Sequence, residues 1–356
     1  MQNPLHLQQP CVKHIHCSGT PYQIGHTHGS EAQREVHGSI AFYTHFFQQR
    51  VKLDWSQAQD IARQFLPYLR EKNADYVEEM QGLADGAGVG LEDIVGLNVR
   101  TEIAYGMLSD GCTAFSWKDG GSGGDSFIGQ NWDWEAEQSR NLVCVRIEQG
   151  TAGRPTVEMI TEAGIIGKIG MNSAGVGVTL NAIQATGMRC EKLPCHLALR
   201  TVLDSKSRAE AEAKLRERGV ASACHIQVAD KESGGVGFEC TSADIVEMQM
   251  DERGITTHTN HLVREHQIQG KQYLKDSVPR LCRVGELLGA VQKPDIASLR
   301  QVLKDEQGYP VAINRDQTES STGQTLFSIV MDLTQGYAKV KIGRPTERGE
   351  EFVLRP

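Results

Sequence analysis

The chain predicts an α+β fold in which helices cover two packed sheets. Three observations carry that expectation. Helical periodicity dominates the first 110 residues, a run of short strand-like segments follows residue 111, and a helix pair interrupts those strands before they resume.

The elements follow in order. Residues 21–49 read as one long helix with His and Phe along its apolar stripe. Asp54-Trp55-Ser56 caps a helix running to about Lys72, Asn73-Ala74-Asp75 opens another through Ala84, and Gly90-Leu91-Glu92-Asp93 opens one ending near Met107. Strands are expected at 112–117, 126–134, 142–148, 156–161, 165–171 and 176–181, the last two split by the turn Asn172-Ser173-Ala174-Gly175. Helices at 196–204 and 207–218 precede three strands between Ala223 and Gln249 and another at 255–259. Helices at 277–290 and 298–304 and strands at 325–332, 337–342 and 351–354 complete the chain. The glycine-rich run 118–125 is too short for a domain linker and reads as a loose hairpin loop.

Composition bounds the class. With 39% hydrophobic and 23% charged residues, the 356-residue chain has the make-up of a soluble globular protein and ample material for a core. A net charge of −8 argues against nucleic acid or an anionic membrane as the main partner. No stretch approaches the roughly 18 apolar residues of a membrane span. Met1-Gln2-Asn3-Pro4-Leu5 lacks the basic and apolar regions of a secretory signal, and Leu354-Arg355-Pro356 is not a Ser-Lys-Leu address. The nine cysteines are odd in number and scattered, which suits reduced thiols. A cytoplasmic location is therefore expected.

The Gly111–Cys112 bond is the most informative in the chain. Cys112 opens a strand after Asp110-Gly111, and the next strand closes on Gly129-Gln130-Asn131-Trp132-Asp133. If the chain is cut before Cys112, the nucleophile becomes an amino terminus and carries its own base. A thiol of pKa near 8.5 is only partly ionised at neutral pH. An α-amine of pKa about 7.7–8.0 beside it is well matched to general base work. Asp133 and Asn131, two residues apart on one strand, share a face, where a carboxylate can orient that amine or thiol. Asn260, in His258-Thr259-Asn260-His261, can donate to an oxyanion, a contribution of about 2.7–4 kcal/mol. Each residue also has a structural alternative. Cys112 can be a small buried apolar residue, Gly111 a turn glycine, Asn131 and Asp133 turn caps, and Asn260 a loop amide.

Other motifs carry less. His14-x-His16 beside Cys11 and Cys17 cannot close a tetrahedral metal site within seven residues, and His26-x-His28 lacks a nearby partner. Cys190-x4-Cys195 has no second pair. Gly164 to Gly170 is not followed by Gly-Lys-Ser/Thr, so it is no phosphate loop. His196, at a helix start, reads as a surface or packing histidine. No metal and no bound cofactor are expected.

Eight stretches resemble one family in order along nearly the whole chain. They are Gly19-Thr20-Pro21-Tyr22-Gln23-Ile24-Gly25 with His28-Gly29, Leu97 through Gly106, Asp110-Gly111-Cys112-Thr113, Gly129 through Asp133, Ile160 through Lys168, Asn172 through Val176, His258 through His261, and Gly343-Arg344-Pro345-Thr346. The chain is similar to the acyl-coenzyme A:6-aminopenicillanic acid acyltransferase (isopenicillin N acyltransferase) family of self-processing N-terminal nucleophile hydrolases. The resemblance implies a four-layer αββα sandwich forming one domain. It also implies self-cleavage into a mainly helical α subunit, residues 1–111, and a β subunit, residues 112–356, held together as a heterodimer.

It further implies that Cys112 is the nucleophile, Asp133 touches the amine substrate and Asn260 serves the oxyanion. The implied reaction moves an acyl group from a coenzyme A thioester, or from an amide, to an amine, in fungal secondary metabolism. Acyl-coenzyme A is then a co-substrate, and the partners are small molecules.

Three departures stand out. The family's Ser-Arg-Gly-x-Thr-Leu-Phe stretch reads Ser321-Thr322-Gly323-Gln324-Thr325-Leu326-Phe327, so Ser321 and Thr322 face substrate without a guanidinium to clamp a carboxylate. A Phe-Glu-Ser stretch reads Phe238-Glu239-Cys240, and the family's peroxisomal signal is missing. An amidohydrolase using water as acceptor, and a paralogue that folds and acts only as a binding partner, are the alternative readings.

Overall fold

The computed structural model of the chain describes residues 11–104, 111–120, 123–150, 153–270, 275–319 and 321–356. The helix end expected near Met107, Asp110, part of the 118–125 loop and Met1–Leu5 lie outside the described residues.

Strand β1 (Lys13–Gly19) leads into α1 (Pro21–Glu31), α2 (Gln33–Arg50), α3 (Trp55–Arg63), α4 (Leu66–Lys72), α5 (Ala74–Ala87), α6 (Leu91–Asn98) and α7 (Arg100–Ile103). Strands β2 (Thr113–Lys118), β3 (Ser126–Glu135), β4 (Leu142–Gln149), β5 (Val157–Glu162), β6 (Ile169–Asn172) and β7 (Val176–Ala182) follow. After α8 (Cys195–Leu203) and α9 (Arg208–Arg218) come β8 (Cys224–Asp230), β9 (Gly234–Cys240), β10 (Ile245–Met248) and β11 (Ile255–His258). The chain ends with α10 (Ser277–Ala290), α11 (Ile296–Leu303), β12 (Gly323–Asp332), β13 (Tyr337–Ile342) and β14 (Glu351–Leu354).

Three helical expectations are corrected. The single helix at 21–49 is two, because Ala32, at φ −107° and ψ 24°, leaves helical geometry. The helix expected from Trp55 to Lys72 also breaks: the amides of Gln64 and Phe65 reach back only three residues, to Ile61 and Ala62, before Pro67 enters the first turn of α4. The helix from Leu91 stops at Asn98 and resumes as the single turn α7. The amino-terminal part is also not purely helical, since β1 pairs in parallel with β4 from Lys13↔Val143 to Gly19↔Gln149.

Two sheets form the centre. One runs β1-β4-β5-β6-β7-β8-β9-β10 and the other β11-β2-β3-β12-β13-β14. They face each other through a core in which Ile128 of β3 lies over Gly177 of β7 and Gln227 of β8 donates to the hydroxyls of Ser116 in β2 and Thr256 in β11. Gln130 crosses that core and closes both hydrogen bonds of the Leu180 backbone, accepting from its amide at 3.0 Å and donating to its carbonyl. A buried amide satisfied on both ends fixes the sheets in one register, because any slip would leave it unpaired.

Helices cover the outer faces. Helices α1, α8 and α9 lie on the eight-stranded sheet, with α5 packed on α1. Gly25 and Gly29 of α1 meet Gly82 and Gly86 of α5 so closely that a Cβ at Gly25 would stand 1.8 Å from the Glu79 carbonyl oxygen. On the other side α10 and α11 cover the six-stranded sheet, where Phe115, Trp117, Phe127 and Val330 pack on Val284, Leu288, Leu299 and Leu303. The result is the expected αββα layering. Among the described residues no helix is long and apolar enough to cross a membrane.

Candidate active site

Two adjacent inner strands of the six-stranded sheet, β2 and β3, build the site. Thr113 of β2 pairs with Asn131 of β3, which brings the start of β2 beside the end of β3. Cys112 immediately precedes β2. Its side chain is fully buried in the core between the sheets, with Sγ 3.7 Å from the Asp133 carbonyl oxygen. All nine cysteines are thiols. Burial pushes Cys17 up to about 12 and raises Cys144 as well, so those thiols stay protonated and inert.

Asp133 lies on the outward face of β3, fully buried. Its Oδ1 accepts from the Thr325 hydroxyl at 2.6 Å, while Oδ2 has no hydrogen-bond partner among the described residues. Arg315 Nε stands 3.5 Å from Oδ2, and Arg315 also pairs with Asp276 through Nη2. Burial pushes the Asp133 carboxyl up to about 7, against the opposing pull of Arg315 and the Thr325 hydroxyl. Gly111 is tied to the same group. A Cβ there would lie 1.9 Å from Arg315 Nε, so the residue before the cysteine approaches a buried guanidinium at a distance only glycine allows.

Asn260 follows β11 by two residues and reaches the site through Arg280 of α10. The buried Arg280 guanidinium donates to the Cys112 carbonyl at 2.7 Å, the Thr113 hydroxyl at 3.1 Å, Asn260 Oδ1 at 2.9 Å and Asp276 Oδ2 at 2.8 Å. Because a guanidinium only donates, the oxygen of the Asn260 amide must face it. The amide nitrogen then faces the other way, where it donates to the Ala182 carbonyl at 3.1 Å and retains a second N–H. The structure thus brings Gly111, Cys112, Asp133 and Asn260 together.

Two arginines absent from the sequence reading, Arg280 and Arg315, join them. Neither has a local signal. Apart from the pair that Arg280 makes with Asp276 four residues earlier, the side-chain partners of each lie far away in the chain.

Asn131 shares the outward face with Asp133, as the two-residue period requires. Its Nδ2 donates to the Leu303 and Ile313 carbonyls at 2.8 and 2.9 Å, so it ties β3 to the outer helical layer. Ser321 and Thr322 precede β12 and stand farther along. Thr325 pairs with Asp133, and Gly323 pairs with Glu135. The Thr322 hydroxyl donates to Glu135, and its carbonyl accepts from the Ala136 amide at 3.0 Å. Thr322 lines a cleft of about 380 Å³ together with Phe42, Phe46, Arg50 and Glu135.

His196 is a packing residue and not a surface one, with Nδ1 3.1 Å from the Gly167 carbonyl. His16 pairs with Glu148 at 3.2 Å and His14 packs edge-on against Phe352. Among the described residues no group of three His, Cys, Asp or Glu side chains has the arrangement of a metal site.

A four-layer αββα sandwich with a cysteine at the head of an inner strand is the architecture that the resemblance to N-terminal nucleophile hydrolases implies. The chain belongs to the acyl-coenzyme A:6-aminopenicillanic acid acyl-transferase family, whose sequence model matches residues 120–347. It is 37% identical over 347 residues to the acyl-coenzyme A:6-aminopenicillanic-acid-acyltransferase 40 kDa form of Emericella nidulans, covering 96% of this chain and 95% of that protein. Among solved structures it is similar to penicillin V acylase from Agrobacterium tumefaciens (15% identity, TM-score 0.48, 68% of this chain and 86% of that one). It is also similar to the N-acylethanolamine-hydrolyzing acid amidase ortholog of Caenorhabditis elegans (18% identity, TM-score 0.46, 63% and 93%).

Proposed function

We propose that the chain cuts itself between Gly111 and Cys112 and then transfers acyl groups from coenzyme A thioesters to an amine through Cys112. The observation that carries this reading is the buried Oδ2 of Asp133, which has no hydrogen bond among the described residues and shares Arg315 with Gly111. A buried acceptor without a donor costs about 1–3 kcal/mol. An α-amine released at Cys112 is a donor that would satisfy it.

The cut proceeds by attack of Cys112 Sγ on the Gly111 carbonyl carbon. The C–S bond forms, the C–N bond breaks, and the thiol proton passes to the leaving nitrogen. Water then hydrolyses the thioester, leaving a carboxylate on Gly111 and a thiol and amine on Cys112. The two subunits, residues 1–111 and 112–356, stay together as a heterodimer because β1 is hydrogen-bonded along its length to β4.

In turnover the α-amine takes the thiol proton while Sγ attacks the acyl carbon, and coenzyme A leaves with that proton. An acceptor amine then attacks the Cys112 thioester and forms the amide. The second N–H of Asn260 serves the oxyanion in both halves, and Asp133 orients the amine. Acyl-coenzyme A enters as co-substrate, Ser321 and Thr322 lie on the acceptor side, and no bound cofactor is required. The nine thiols suit a reducing cytoplasm.

Mass spectrometry of the purified protein after incubation with a panel of acyl-coenzyme A thioesters tests this directly. Two fragments split at Gly111–Cys112 and an acyl adduct on Cys112 are expected, and Cys112→Ala abolishes both. An uncut chain that still turns over would remove the terminal-amine mechanism. Adding amines separates transfer from hydrolysis: amide product accumulates in the first case, and free acid alone marks an amidohydrolase.

A further inference from the structure

The turn that carries Asn260 is held from both sides by one carboxylate that the proposed reaction does not use. Glu239, near the end of β9, is fully buried. Its Oε1 accepts from His258 Nε2 at 2.8 Å and the Val263 amide at 2.6 Å. Its Oε2 accepts from the Arg264 amide at 2.9 Å and His266 Nε2 at 3.1 Å. These donors flank Asn260 in sequence, two residues before it and three to six after it.

The ring contacts are all with acceptors. His258 Nδ1 lies 2.8 Å from the Thr259 carbonyl, which only accepts, and Nε2 lies 2.8 Å from the Glu239 carboxylate. His266 is set in the same way between Glu239 and Asp244.

His225 lies flat against His258 with ring centroids 3.7 Å apart. Burial, and then the charge of His258, push its pKa down and keep it neutral. Burial alone would raise Glu239, but the hydrogen bond and charge of His258 and the two amides bring it to about 2.

We infer that Glu239 and His258 are positioning residues for Asn260. Their ion pair fixes the turn so that Arg280 and Ala182 together hold the Asn260 amide with one N–H left for the oxyanion. The inference rests on the reading of Asn260 as that donor.

A double-mutant cycle on the processed enzyme tests it, using the best donor among linear acyl-coenzyme A thioesters. Glu239→Gln keeps the shape but replaces one acceptor oxygen with an NH2 group that turns a donor toward donors, which displaces the turn. Misplacement on the scale of an ångström costs about 100-fold in rate, so kcat falls by that order with KM within a few-fold. In an Asn260→Ala background the same substitution has little further effect, because the group it positions is already gone.

Should Glu239→Gln fail to fold, as read by its thermal transition, His258→Gln takes its place in the cycle. It can still donate to Glu239 but carries no charge. Multiplicative losses, or a Glu239→Gln enzyme with wild-type kcat, would overturn the positioning role. A wild-type kcat in Asn260→Ala would instead remove the oxyanion reading itself, and the inference with it.

Discussion

Arg315 Nε stands 3.5 Å from Asp133 Oδ2, beyond a good hydrogen bond, and the same nitrogen is what a side chain at Gly111 would strike. One guanidinium therefore meets both the residue before the nucleophile and the carboxylate meant for its amine. Gly111→Ala must push Arg315 away, at an overpacking cost of about 1–3 kcal/mol. Uncut precursor is expected to accumulate, with processing slowed at least about tenfold for 1.4 kcal/mol of barrier. Intact mass over a time course measures it. Processing at the wild-type rate would show that the close approach is incidental.

Asp133 gives a pH signature. Burial pushes its carboxyl up to about 7 in the folded chain from the ordinary 3.8, so the folded chain binds the extra proton between those values. The stability it contributes is fully present below pH 3.8 and lost as pH rises through 7. Asp133→Asn in a Cys112→Ala background, where the chain stays uncut, should flatten the fall in Tm between pH 4 and 7. The variant should also be the more stable of the pair at pH 8, by a few kcal/mol at most.

Arg280 holds four partners that a lysine cannot hold together. Arg280→Lys keeps a charge but loses the fork that spans the Cys112 carbonyl and Asn260 Oδ1. Each charge-assisted hydrogen bond lost costs about 1.5–3 kcal/mol. A fall in kcat of about 100-fold or more is expected, with Tm lowered. Near-normal turnover in a folded Arg280→Lys enzyme would contradict this.

Thr322 sits on Glu135, which is also paired with Arg50 at 3.1 Å. Thr322→Arg places a second cation at that carboxylate and leaves one guanidinium for an incoming anion. The KM for amine acceptors that carry a carboxylate should drop about tenfold, the scale of one added charge-assisted contact, while kcat changes little. An equal effect on uncharged amines would rule out a carboxylate clamp.

The layering was legible because period-two strands mark the sheets and capping side chains mark α1, α9 and α11 among the covering helices. What escaped was set by distance in the chain. In β1, Lys13, His14, His16 and Ser18 alternate with buried Ile15 and Cys17, and its partner strand begins 130 residues later at Val143. The chain around it is helical, so nothing local identifies a parallel strand. Ala32 breaks a helical run with no Gly or Pro to mark it.

At the site, Cys112, Asp133 and Asn260 were legible because Gly-Cys, Asn-x-Asp and Asn at a strand end are local patterns. Arg280 and Arg315 were not, because their meaning lies in what converges on them. Arg280 reaches back 168 residues to the Cys112 carbonyl.

The parallel pairing of β1 with β4 also bears on how often this molecule can be made. Before the cut, threading the first strand into its sheet is an intramolecular search, helped by the covalent tether. After the cut it is an encounter between two separate polypeptides, and its yield depends on their concentration. A processed molecule that unfolds in dilute solution cannot return by the route that built it. The cut would turn a reversible fold into an assembly with a memory of having been one chain.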